Sequence, residues 1–145
     1  MLIIFAIMVY KLQKWGGQEY TKDSLLLKND FILKGTVDYI DFSNNHCFSV
    51  IHIKNFKSSV QVFNPKKGEN YFPYAVEWGN AEVYVNVCST FIDSGDSVIV
   101  DSNKRTAFFK TKSVGNHQSD INFVQGELSF IRKKSIVFNE NFLNK

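Results

Sequence analysis

The sequence predicts an all-β domain, an antiparallel sandwich or barrel, preceded by a short apolar N-terminal segment. Three observations carry this. From Asp30 onward, short apolar runs are broken by polar turns at regular spacing. Several runs alternate apolar and polar residues with the period of a strand. Of 145 residues, 44% are hydrophobic and 14 are Phe, which supplies bulky material for one interior. Charged residues at 21% exclude both a disordered tail and a multi-span membrane protein.

Leu2 to Tyr10 is uncharged and apolar, and Lys11, Lys14 and Trp15 come next. That is the order in which a membrane helix meets the interface. The run is shorter than the roughly 20 residues of a full span. It lacks the basic start and cleavage site of a signal peptide. It reads as the second half of a longer signal anchor, as a short anchor aided by tilt, or as an element packed on the domain. The two lysines would place their side in the cytoplasm. We assign residues 1–15 to this anchor-like segment and 16–29 to a polar tether with one helical turn near Leu25.

The β domain is expected over residues 30–132. In Phe31 to Tyr39, the residues Phe31, Leu33, Val37 and Tyr39 share one face, and Gly35 on that face marks a bulge or tight bend. Asp41 to His46 supplies turn residues, and Cys47 to Ile53 returns as a hairpin. Ser59 to Phe63 reads as a strand closed by an Asn64-Pro65 turn. Tyr71 to Trp78 is aromatic and irregular. Ala81 to Ile92 fits both a strand and a helical stripe. Asp93 to Asp96 is a turn, after which Ser97–Val100 and Thr106–Lys110 form a hairpin. Ser113 to Asp120 reads as a polar loop, and Ile121–Val124 and Leu128–Ile131 as strands. Residues 133–145 form a tail, with Ile136 to Phe138 as a last edge strand.

Gly35-Thr36-Val37 and the Gly95-Asp96-Ser97-Val98 turn that opens a late hairpin resemble motifs of small membrane-anchored proteins common in the Bacteroidetes. The resemblance covers about Phe31 to Thr111. It implies a small, OB-like, partly open antiparallel β-barrel and a membrane setting, and no activity. The chain departs from that pattern at Val100-Asp101, where Lys is common in the family, and in its extra C-terminal segments.

Cys47 and Cys88 form no CxxC and read as two small buried hydrophobes, or as a disulfide in an exported domain. His46, His52 and the cysteines match no zinc spacing, so neither metal nor cofactor is expected. His52 would share a face with Phe48 and Val50 as a satisfied, partly buried histidine. Asp96 and Ser97 read as turn chemistry, with no histidine near in sequence. No phosphate-loop, dinucleotide, hydrolase-elbow or zincin motif is present, and no catalytic residue is assigned. The charge of +3 is dispersed, which argues against nucleic acid as a partner. Candidate ligand-binding residues are aromatic and basic: Tyr71, Phe72, Tyr74, Trp78, Lys104, Arg105, Phe108 and Lys110. Rings interleaved with cations are how OB-like folds stack bases or sugars; otherwise these rings fill the barrel.

The sequence therefore points to a non-enzymatic, membrane-tethered β module with a binding or structural role, held by a single N-terminal anchor. The alternatives are a soluble, cytoplasmic binder of single-stranded nucleic acid or oligosaccharide, and an enzyme whose site is assembled from distant residues.

Overall fold

Residues 2–138 are described by the computed structural model, which is an antiparallel β structure with a long N-terminal helix. Helix α1 (Leu2–Leu27) is unbroken. The stretch expected as a tether therefore continues the helix. Two interior glycines, Gly16 and Gly17, cost about 1 kcal/mol each there. Straight-chain residues around them favour the helix, and its base is docked. Leu27 is buried in the main core, and Asp23 pairs with Lys67. Arg105 donates to Tyr20 Oη (3.1 Å) and Ser24 Oγ (3.2 Å). Beyond this base the helix stands clear of the domain. Ile3, Ile4, Phe5, Ile7, Met8, Tyr10, Leu12 and Trp15 are all more than half exposed.

Nine strands come after the helix. They are β1 (Ile32–Phe42), β2 (Phe48–Ser58), β3 (Lys66–Lys67), β4 (Asn70–Tyr71), β5 (Tyr74–Glu77), β6 (Asn80–Asn86), β7 (Ser97–Asp101), β8 (Thr106–Thr111) and β9 (Gly115–Asp120). Seven make one antiparallel sheet in the order β5-β6-β2-β1-β7-β8-β9, and β3-β4 is a separate short ladder. Among the described residues no ladder joins β5 to β9, so the sheet is not closed.

Gly35 sits where the β1–β2 register shifts, between Lys34 and Thr36. A Cβ at this position would lie 2.4 Å from Ile53 Cγ2 and 2.9 Å from Phe56 Cβ. A second shift, between Val37 and Tyr39, inverts the face of the remainder of β1. Tyr39 therefore leaves the expected face beside Leu33 and Val37 and stacks on His52, ring centroids 3.9 Å apart. Such bulges curve the sheet.

Several expectations change. Ser59–Val62 forms no strand; only Phe63 bridges, to Val76. The ambiguous stretch becomes β6, and Phe91 and Ile92 lie in the turn beyond it. The polar loop at Ser113–Asp120 contains β9, because its main chain pairs with β8 whatever its side chains. Ile121–Val124 is extended with a single bridge, Val124 to Tyr71. Leu128–Ile131 is not a strand but opens helix α2 (Leu128–Lys134). Its Leu128 and Ile131 recur at helical spacing and pack on the sheet. Ile136–Phe138 is no edge strand; Val137 and Phe138 are buried against the sheet. The expected tail from residue 139 lies outside the described residues.

Two cores result. The inner one gathers Leu33, Val37, Ile51, Val83, Val98, Val100 and Phe109 with Leu27 of α1. On the opposite face of β2 and β6, Phe48, Val50 and Tyr84 are covered by Ile131, Val137 and Phe138. Strands β2 and β6 are thus buried on both faces.

Candidate binding cleft

The predicted aromatic and basic set is not brought together. Tyr71, Phe72 and Tyr74 are interior. Tyr74 stacks on Phe31 at 4.1 Å, and its hydroxyl donates to Asn29 Oδ1 at 2.9 Å. Burial pushes that hydroxyl up to about 12. Trp78 is 83% exposed at the β5–β6 turn. Lys104 closes the β7–β8 turn beside Asp101. Phe108 is half-buried and Lys110 exposed on β8. Arg105 fastens α1 instead of facing solvent freely. The eight residues define no shared surface. The Asp96 expectation holds as turn chemistry: its carboxylate accepts the main-chain N–H of Asp93 (2.9 Å) and of Lys112 (3.2 Å).

Two features that sequence reasoning missed stand out. The first is a buried polar cluster across β2 and β6. His52 and Glu82 are register partners, exposed by only 3% and 0%. His52 Nδ1 lies 3.1 Å from Glu82 Oε1, and Nε2 lies 3.3 Å from Asp41 Oδ2. The Nδ1 contact is an ion-pair approach and not a well-directed hydrogen bond. Tyr84 Oη donates to Glu82 at 2.6 Å, and the Ser135 hydroxyl and Ile136 N–H donate at 2.5 Å each. Lys134 pairs with Asp41 at 2.7 Å. Burial alone would raise the Glu82 carboxyl. The neighbouring His52 ring and the donors Ser135, Tyr84 and Ile136 together overcome it and hold the group below the usual carboxylate range. Burial, then the Glu82 charge, drives the Tyr84 hydroxyl well above its ordinary value. The cluster is packed solid and fastens the α2 segment to the sheet. His52 is buried as its strand position predicts, but it is only half satisfied: Nε2 contacts Asp41, while Nδ1 has no hydrogen-bond partner among the described residues.

The second feature is a cleft of about 390 Å³ beside this cluster. One wall is the β1–β2 turn with Asn45 and His46, next to the end of β6 at Asn86. The other is the extended chain from Asp120 through Asn122 and Gln125 to Glu127. The floor is apolar, formed by Phe48, Val85, Phe123 and Val124. No lysine or arginine lines it among the described residues.

The walls are pinned. Cys47 and Cys88 form a disulfide that ties the turn to the chain just past β6. They are not the two buried hydrophobes of the simpler reading. His46 and Cys47 are both in the left-handed region, φ 50 and 57, which costs non-glycine residues strain unless the surroundings hold it. Glu127, at the start of α2, accepts Ser43 Oγ (3.0 Å) and Asn45 Nδ2 (2.5 Å), joining the walls at one end. Arg105 donates to Asn122 Oδ1 at 2.6 Å, so the residue that docks α1 also sets a cleft amide. The only signal in the sequence was the density of asparagine in the turns, which turn formation already explained.

The described residues contain no group of acidic, histidine and cysteine side chains able to hold a metal ion. No known protein family, curated protein or solved structure matches the chain.

Proposed function

We propose that this chain is a non-enzymatic, membrane-tethered module, an OB-like, partly open β-barrel whose apolar helix enters the bilayer and whose cleft meets a ligand. The carrying observation is the helix. From Ile3 to Tyr10 it is apolar on all sides and contributes nothing to the domain's cores. A helix of that kind is stable inside a protein core or a membrane. No helix among the described residues is long and apolar enough to cross a membrane. The nine residues Leu2 to Tyr10 rise about 13 Å, close to half of the ~30 Å hydrocarbon core. The membrane segment of this reading therefore enters one leaflet. Lys11, Lys14 and Trp15 fall at the headgroup level, where such residues anchor.

The disulfide supports placing the domain on an oxidising side, because such bonds persist outside the cytosol. Two lysines bias the other way but are a small charge difference. The buried rings leave no exposed platform for stacking bases or sugars on Tyr71, Phe72 or Tyr74.

Flotation tests the proposal. The full chain is expected to rise with phosphatidylcholine vesicles in a density gradient, and the double variant Ile4→Asp, Ile7→Asp to stay at the bottom. Intact chain remaining at the bottom contradicts the tether.

A further inference from the structure

We infer that the cleft binds an extended peptide segment through its main chain, with a preference for a basic side chain; this rests on the cleft being the ligand-binding side of the module. The end of β6 is the reason. Tyr84 turns its N–H away from β2, to Pro73 O at 2.8 Å. Alternation along the strand puts the main-chain groups of Asn86 on that same side. Strand β5 does not reach them, since its first residue, Tyr74, faces Val83. Tyr71, two residues earlier than Pro73, is bonded in both directions to Val124, at 3.3 and 2.9 Å. The β6 ladder therefore stops at Tyr84 on this side, and Asn86 opens onto the cleft. An added strand would meet there an edge that is unpaired among the described residues, the mode by which sheets take up extended peptides.

The side chains fit the same partner. Asn45, Asn122 and Gln125 carry amides, which match peptide N–H and C=O groups as donor and acceptor. Asn122 is already fixed through Oδ1 by Arg105, which leaves its NH₂ for a ligand carbonyl. The apolar floor suits alternate side chains of an extended chain. Charge decides the preference: Asp120 is exposed at the rim, Glu127 lines the far wall, and among the described residues no lysine or arginine belongs to the lining, Arg105 meeting it only at the Asn122 amide oxygen. An oligosaccharide is disfavoured because Phe48, Tyr84 and Phe123 are all buried and leave too little open ring for a sugar to stack on.

The test is an amide NMR titration of the full chain in lipid nanodiscs with four probes. These are acetyl-Val-Lys-Val-amide, its Glu counterpart, a backbone N-methylated Lys peptide, and maltotriose. The Lys peptide is expected to give saturable shifts at the Asn86 amide and at the side-chain amides of Asn122 and Gln125. The Glu peptide is expected to bind about threefold more weakly, the scale of one exposed ion pair. Asp120→Asn is expected to erase that difference, and N-methylation to abolish the shifts. No saturable shift with either unmethylated peptide, equal binding of the N-methylated one, or a response to maltotriose instead, overturns the inference. Flotation of the same sample reads the tether separately, so failure of either reading is visible alone.

Discussion

Glu82 is the residue on which the fold's second layer depends. It is a fully buried carboxylate facing His52, and it receives donors from β6, from Ser135 and from the main chain of Ile136. Glu82→Gln exchanges a buried carboxylate that accepts from Tyr84, Ser135 and Ile136 for an amide that turns a donor toward them, and a buried polar group left unsatisfied costs about 1–3 kcal/mol. Glu82→Gln should therefore lower stability by about 3 kcal/mol at pH 7 in urea unfolding. The sign with pH comes from the direction of its shift. The folded carboxyl titrates below its ordinary value of 4.5, so its contribution is present above that value and lost as pH falls through the folded one. The penalty of Glu82→Gln should accordingly shrink at pH 3. An equal penalty at both pH values would contradict this assignment. Gly35 sets a second residue-scale prediction. Gly35→Ala drives a methyl to within 2.4 Å of Ile53 Cγ2, between two paired strands. A loss of about 1–3 kcal/mol is expected for such overpacking, checked by thermal unfolding. A neutral substitution would show that the bulge yields easily.

At the scale of elements, the disulfide and Arg105 do separate jobs. Cys47–Cys88 closes a separation of 41 residues and pins one cleft wall. Replacing both cysteines by alanine should cost about 2–5 kcal/mol and raise hydrogen exchange at Asn45 to Phe48 above the domain average. Unchanged exchange there would show that the turn is held without it. Arg105 links Tyr20 and Ser24 to Asn122. Arg105→Ala should loosen the base of α1, seen as faster exchange from Tyr20 to Leu27, with little change in the unfolding midpoint of the sheet. What the sequence disclosed at this scale tracks period and turn chemistry. Phe31 to Val37, the bulge at Gly35, the Asp93–Asp96 turn and the β7–β8 hairpin were legible because alternation and side-chain caps are local. Strand β9 was not, since its polar side chains hide a ladder made by the main chain. Helix α2 was not, because Leu128 and Ile131 suit either period in so short a run. The continuous α1 was masked by Gly16-Gly17, whose local cost is met by a distant dock on Arg105 and Lys67. The cleft was illegible for the same reason: Asn45, Asn86 and Asn122 are far apart in the chain and meet only through the disulfide and the Glu127 contacts. The aromatic candidates failed in the opposite way. Composition announced the rings, but only packing could say that they fill the interior.

At the scale of the whole molecule, the sheet domain buries most of its large apolar side chains, whereas the first turns of the helix bury almost none. Leu27 and Phe31 belong to the core, whereas Ile3 to Trp15 contribute nothing to it. The docked base fixes the direction in which the apolar end leaves the domain. We propose that this end enters the membrane and that the stiff helix holds the domain outside it. Trp15 reports on it directly. In the Trp78→Phe variant it is the single tryptophan, and its emission should shift to the blue on adding phosphatidylcholine vesicles. Lipids brominated near the headgroup should quench it more than lipids brominated near the chain ends. Emission unchanged by vesicles, with no quenching from either lipid, would contradict the account.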